Sequence, residues 1–143
     1  MSKIKATSSL FGLLMVVVSM AFFYKSSEAT AILQKFHVYI INDLDEGMDL
    51  MTHCRSKDDD LGLHTLAKGQ NFTWDFHVNF WGTTLFYCEF QWGNNVHGTF
   101  DVFETIRDGG RCLNICYWYV RTDGLHFTNN IKDPDPELDY RWP

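Results

Sequence analysis

Positive charge is scarce in this 143-residue sequence: 12 lysines and arginines stand against 18 aspartates and glutamates. Nucleic-acid binding and anionic-membrane binding both begin with positive charge, so neither is expected, whereas partners with basic surfaces and bound cations remain open. Catalytic signatures are also missing. There is no nucleophile elbow, no HExxH zinc motif and no Gly-rich phosphate loop. His53 and His64 flank an acidic run, yet no lysine or arginine cluster accompanies any histidine pair for acid–base work on a phosphate. An enzyme is therefore not expected. No paired CxxC spacing supports zinc, and the acidic run Asp58-Asp59-Asp60 lacks the alternating ligands and downstream Glu of an EF-hand loop. It reads instead as loop carboxylates capping turns, and no metal or other cofactor is expected. Internal repeats, low-complexity tracts and a convincing helical period are absent too.

Apolar runs long enough to span a bilayer are likewise lacking. The longest, residues 10–23, falls short of the roughly 20 residues a spanning helix needs. Lys3 and Lys5 precede it, and the small-residue pattern Ser27-Glu28-Ala29 follows. This layout predicts a cleavable secretory signal over residues 1–29, and no stable membrane insertion. Beyond residue 29 the chain carries 9 basic and 17 acidic residues. What is left is one small domain, which gains from covalent staples in an oxidising compartment.

Four cysteines supply those staples: Cys54, Cys88, Cys112 and Cys116. If the segment from Cys112 to Cys116 is extended, its ends lie about 13 Å apart, beyond the reach of a disulfide. Two connectivities then remain, Cys54–Cys116 with Cys88–Cys112 or Cys54–Cys112 with Cys88–Cys116, and the first is preferred. Asn71-Phe72-Thr73 is an N-glycosylation sequon, which predicts a solvent-facing Asn71.

The rest is written with a period of two. In residues 72–78 Phe72, Trp74, Phe76 and Val78 alternate with polar residues, the pattern of a half-buried strand. Similar runs fall at residues 36–41, 48–54, 63–67, 83–92, 99–104, 114–121 and 125–128. Turn formers such as Lys68-Gly69, Gly93-Asn94-Asn95 and Asp123-Gly124 separate them. About eight short strands predict an all-β fold, an antiparallel β-sandwich stapled by disulfides, over residues 30–128. The strands near residues 84–92 and 115–120 are apolar on both faces, as central strands are. The acidic, Pro-containing segment 129–143 is expected to be an irregular tail.

Several stretches together resemble the plant self-incompatibility S-protein family. They are His53-Cys54-Arg55-Ser56-Lys57-Asp58-Asp59-Asp60-Leu61-Gly62, Gly82-Thr83-Thr84-Leu85-Phe86-Tyr87-Cys88, Phe100-Asp101-Val102-Phe103, and Cys116-Tyr117-Trp118 with Asp123-Gly124-Leu125 behind it. The likeness covers residues 36–128 and excludes the tail. It implies a secreted, disulfide-held β-sandwich. In the family's best understood role, in poppy, a pistil-secreted member is a ligand for a pollen surface receptor. A cell-surface protein receptor is therefore the expected partner.

On a sandwich, function usually sits in the loops at its two ends. Two polar loops are the candidates: one with Asn94, Asn95 and His97, the other with Arg107, Asp108 and Arg111, whose cations could orient a partner. The alternative is a lectin-like module that stacks cell-wall sugars on exposed aromatics, with Trp81 and Trp92, each beside a glycine, as the platforms.

Overall fold

The computed structural model describes residue 12, residues 14–19 and residues 34–143. Residues 14–19 are helical, and no helix among the described residues is long and apolar enough to cross a membrane. The predicted cleavage site lies outside the described residues. From residue 35 onward the chain forms a unit of its own.

That unit holds nine described strands: β1 (Lys35–Asn42), β2 (Leu50–Arg55), β3 (Asp60–Leu66), β4 (Asn71–His77), β5 (Leu85–Trp92), β6 (Asn95–Glu104), β7 (Ile115–Arg121), β8 (Gly124–Thr128) and β9 (Glu137–Arg141). A short helix, Thr105–Arg111, joins β6 to β7. One sheet has the order β4-β1-β7-β8-β9 and the other β3-β2-β5-β6. The alternation dictates the layering. Phe36, Val38 and Ile40 of β1 meet Cys116, Trp118 and Val120 of β7 on the inner face of the first sheet. Leu50, Thr52 and Cys54 of β2 and Phe86, Cys88, Phe90 and Trp92 of β5 line the second. The doubly apolar strands β5 and β7 are interior strands of their sheets, as expected. Tyr117 is buried on the outer face against Tyr39 of β1, ring centroids 5.0 Å apart.

Two buried polar groups tie the sheets together. Trp118 donates its indole N–H to the Val102 carbonyl across the core (2.7 Å). Asn42, fully buried at the end of β1, donates to the carbonyls of Met48 and Leu66 (2.8 Å each) and accepts from the Leu44 N–H (3.0 Å). With its donors and acceptor so occupied, a buried amide is no longer costly.

Four expectations need correction. The sandwich is antiparallel as expected except at one pairing: β1 and β7 run parallel, with Tyr39 level with Tyr117. The long excursion between them through the second sheet makes a parallel return possible. Residues 105–111 are helical rather than looped. Seven residues containing Gly109 and Gly110 show no helical period, and each glycine disfavours helix by about 1 kcal/mol, so tertiary contacts hold this turn. The tail is not irregular: β9 pairs antiparallel with β8, from Gly124 opposite Arg141 to Phe127 opposite Glu137. The sandwich therefore extends past residue 128.

The fourth correction is the disulfide connectivity. Cys54 bonds Cys88, and Cys112 bonds Cys116. Cys54 and Cys88 sit directly opposite each other in the β2–β5 register, so the bridge lies within one sheet. The wide separation expected of an extended segment between Cys112 and Cys116 does not arise. Instead Cys112 closes the helix through its N–H to the Asp108 carbonyl (3.0 Å). Leu113 and Asn114 then take positive φ of 49° and 78°, and the curl brings the two Cα atoms to 4.9 Å. Loop entropy ranks the two staples, since they close sequence separations of 34 and 4 residues. Replacing Cys54 and Cys88 together by alanine is expected to cost about 4 kcal/mol, against about 2 kcal/mol for Cys112 and Cys116. Urea unfolding of the two double variants checks the order; a larger loss from the short ring would sink the entropic account.

Candidate functional site

Strand registers gather several segments at one end of the sandwich. His77, ending β4, is opposite Lys35, which starts β1, and Ile115, starting β7, is level with His37. Leu85, starting β5, is opposite Glu104, which ends β6, and Arg55, ending β2, is opposite Tyr87. The β2–β3 turn (residues 56–59), the β4–β5 loop (residues 78–84) and the helix therefore share this end. Thr105 joins two of them, its N–H and its hydroxyl both donating to the Thr84 carbonyl (3.2 Å each).

The β4–β5 loop is rigidly built. Asn79 accepts from the Thr83 N–H at Oδ1 (2.9 Å) and donates from Nδ2 to the Thr83 hydroxyl (3.0 Å). Its own N–H reaches the Thr84 hydroxyl (2.8 Å). Gly82, at φ 66°, closes the turn onto the Asn79 carbonyl, a backbone conformation that favours glycine. What this frame presents is apolar: Phe80 is 66% and Trp81 80% exposed, the two rings edge-on at 5.0 Å. Ile106 on the helix (87%) and Leu113 just after it (72%) are exposed at the same end. With Leu85, this one end holds five of the eight exposed large hydrophobic residues in the stretch 34–143. Scattered singly such residues need no explanation, but a cluster marks an interaction surface.

Between the loop and the β2–β3 turn lies an open groove of about 650 Å³. Trp81, Leu85 and Phe86 form its apolar part, and Lys57, Asp58 and Asp59 its charged rim. The turn is closed by Ser56, whose N–H donates to the Asp59 carbonyl (2.8 Å) and whose hydroxyl accepts from the Asp59 N–H (3.0 Å). Asp60 faces other work: it accepts from His53 Nε2 (2.5 Å) and from the Gly62 N–H (2.9 Å). The His53 hydrogen bond, foremost, holds its carboxyl below the ordinary aspartate pKa. Asp60 thus caps a turn, the role expected of the acidic run.

A family model described as plant self-incompatibility protein S1 matches residues 37–142, nearly all of this sandwich. The chain belongs to that family. S-protein homolog 6 of Arabidopsis thaliana is 40% identical over 73% of this chain and 74% of its own length. Self-incompatibility protein S1 of Papaver rhoeas is 35% identical over 78% and 79%. A solved structure of SPH (self-incompatibility protein homologue) proteins, described as a widespread family of small, highly stable, secreted plant proteins, superposes with a TM-score of 0.56. It is 21% identical and covers 77% of this chain and 96% of its own, so it speaks for the fold. The S1-family match reaches residue 142, which puts the tail inside the shared domain, as β9 requires.

Within this S1-family sandwich the six loop residues singled out from sequence do not form one surface. Asn94 and Asn95 are exposed at the β5–β6 turn, where Gly93 and Asn94 both take positive φ (57° and 65°). That turn is at the far end of the ten-residue strand β6, about 30 Å from the helix. His97 is occupied: its ring stacks on Trp92 at 3.4 Å and 6°, and Nε2 contacts the Trp92 carbonyl (3.2 Å).

Arg107, Asp108 and Arg111 form an internal lock. Asp108 is fully buried. It receives Arg107 Nη2 (2.7 Å) and Nε (2.9 Å), Arg111 Nε (2.8 Å) and the Glu104 N–H (2.8 Å). Arg107 also donates to the Asp101 carbonyl (2.9 Å) and to the Tyr140 hydroxyl, and Arg111 to Asp139 (2.7 Å). Arg111 lies over the Phe127 ring, 3.7 Å from its centroid. Burial opposes the Arg107 charge, but hydrogen bonding to Asp108 and the Asp108 charge outweigh it and raise its pKa. Burial also raises the Tyr140 pKa, against the pull of Arg107. Arg107 and Arg111 hold β9 and the helix to the core and are not the free cations expected from the sequence.

Of the two tryptophans proposed for stacking, Trp92 is 6% exposed and packs against Trp142 at 5.0 Å. Trp81 alone is open. Phe80, Ile106 and Leu113 went unnoticed in the sequence because nothing local distinguishes an exposed apolar residue in a turn from a buried one. Asn71 is exposed, as the sequon predicts, and pairs with Ile41 at the opposite end from Trp81.

Proposed function

We propose that this protein is secreted after loss of residues 1–29, carries a glycan on Asn71 and acts outside the cell as a non-enzymatic ligand for a cell-surface protein receptor. The observation that carries this reading is the cluster of exposed Phe80, Trp81, Ile106 and Leu113 at one end of a sandwich. Two buried disulfides suit an oxidising compartment. The relative from Papaver rhoeas is named for self-incompatibility, and the solved structure's description calls its family secreted. A glycan on Asn71 would stand about 20 Å along β4 from the apolar end, leaving that end accessible. The exposed Trp81 keeps a second reading alive, a sugar-binding module, although burial of Trp92 removes its partner platform.

The test is binding of the labelled, disulfide-bonded protein to plant cells before and after protease treatment of their surface. Saturable binding abolished by protease is expected. Binding that survives protease and is competed by soluble cell-wall glycans would replace the receptor with a carbohydrate.

A further inference from the structure

The charged side chains on the groove rim, Lys57, Asp58 and Asp59, are not ion-paired internally among the described residues. Some acidic groups are matched by cations, Asp108 by Arg107 and Arg111, Asp139 by Arg111, Asp43 by Arg121 and Asp75 by Lys35. Asp58, Asp59 and Glu104, all exposed, have no ion-pair partner among the described residues, and Lys57 is the one lysine or arginine among the residues lining the groove, which His77 lines too. Two of these carboxylates border the same groove as Trp81. An exposed indole face attracts cations through its quadrupole, arginine above all. Carboxylates beside it add Coulomb attraction and the acceptor geometry a guanidinium fork needs. The adjoining Phe80, Leu85 and Ile106 ask for apolar side chains between the cations.

We propose that the groove between residues 56–59 and 79–85 docks a basic segment of the partner protein in which arginine alternates with apolar residues, one guanidinium lying on Trp81 and against Asp58 or Asp59. The inference rests on the receptor reading and adds the chemistry of what the receptor offers. It also assigns an order to the contacts. The carboxylates steer the encounter and make it salt-sensitive, while Trp81, the largest exposed ring on a rigid loop, is the anchor.

The experiment is an NMR titration of the 15N-labelled protein with a capped six-residue peptide alternating Arg and Leu. The same peptide with Glu in place of Arg, and cellohexaose, serve as comparisons. The Arg–Leu peptide should shift the Trp81 indole N–H and the amides of residues 57–59 and 80–85. The Glu–Leu peptide should not. Trp81→Ala should weaken the Arg–Leu affinity about fivefold, and Asp58→Asn with Asp59→Asn about threefold, an effect lost at high salt. All three positions are exposed, so folding is retained. Shifts confined to the Asn94 end, equal response to the Glu peptide, or response to cellohexaose alone would overturn the proposal. Cell binding separates the two claims. Protease-sensitive binding unaltered by these variants rejects the groove but keeps a receptor, whereas a groove that takes the peptide on a protein whose cell binding survives protease rejects the receptor.

Discussion

Replacing Asp108 by alanine is expected to destabilise the protein by about 3–5 kcal/mol, the range for breaking a buried ion pair from one side. The carboxylate has no exposed surface and gathers two guanidinium groups and the Glu104 N–H. Without it, Arg107 and Arg111 keep their charge against the rings of Trp118 and Phe127 with their principal partner gone. Arg107→Ala should be similarly costly, because Asp108 would remain buried with half its neutralising charge removed. Urea unfolding of both single variants and the double variant measures this. The double variant should cost much less than the sum, since the second change removes a group already orphaned. A loss below about 1 kcal/mol for Asp108→Ala would mean that the cluster behaves as a surface salt bridge. The same variants address recognition: any effect of Arg107→Ala on cell binding should follow its loss of fold.

Deleting residues 137–143 is expected to abolish the folded state. The segment contributes β9, which covers the edge of β8, and the groups Asp139 and Tyr140 on which the two arginines rest. It also contributes Trp142, whose ring meets Phe90, Trp92, His97 and Phe100 and whose indole N–H donates to the Arg121 carbonyl (2.7 Å). Trp142→Ala alone should cost about 3 kcal/mol. Together with the lost ladder and the stranded arginines this approaches the whole stability of a small domain, about 5–15 kcal/mol. Loss of amide dispersion in the NMR spectrum of the shortened chain is the expected result. A well-dispersed spectrum would return the segment to the status of an accessory tail.

The tail and the helix depart from their local sequence preference for the same physical reason. Glu137-Leu138-Asp139-Tyr140-Arg141 alternates polar and apolar residues, but the run is short and follows Pro134 and Pro136, so its acidic, Pro-containing surroundings mask the signal. It becomes a strand because β8, with every residue buried, offers an unpaired edge. The helix carries two glycines and forms because its one buried residue, Asp108, collects partners from β6 and from both arginines of the helix itself. Cys112 and Cys116 meet because the left-handed Leu113 and Asn114 break the extended chain expected there. In each case long-range contacts overrode a weak local preference.

Eight of the nine strands, the inward face of β4, the exposure of Asn71 and the family likeness were legible in the amino-acid order alone. A period of two is a local consequence of the pleat, and it survives whatever the strand later packs against. The parallel return of β7, the disulfide partners, the arginine lock and the apolar end were decided only by tertiary structure. Phe80, Trp81, Ile106 and Leu113 are residues of the kind that fill the core, and Arg107 and Arg111 of the kind that face partners. Which of them is buried and which exposed depends on where strands far apart in the chain finish, and no short stretch of sequence carries that information.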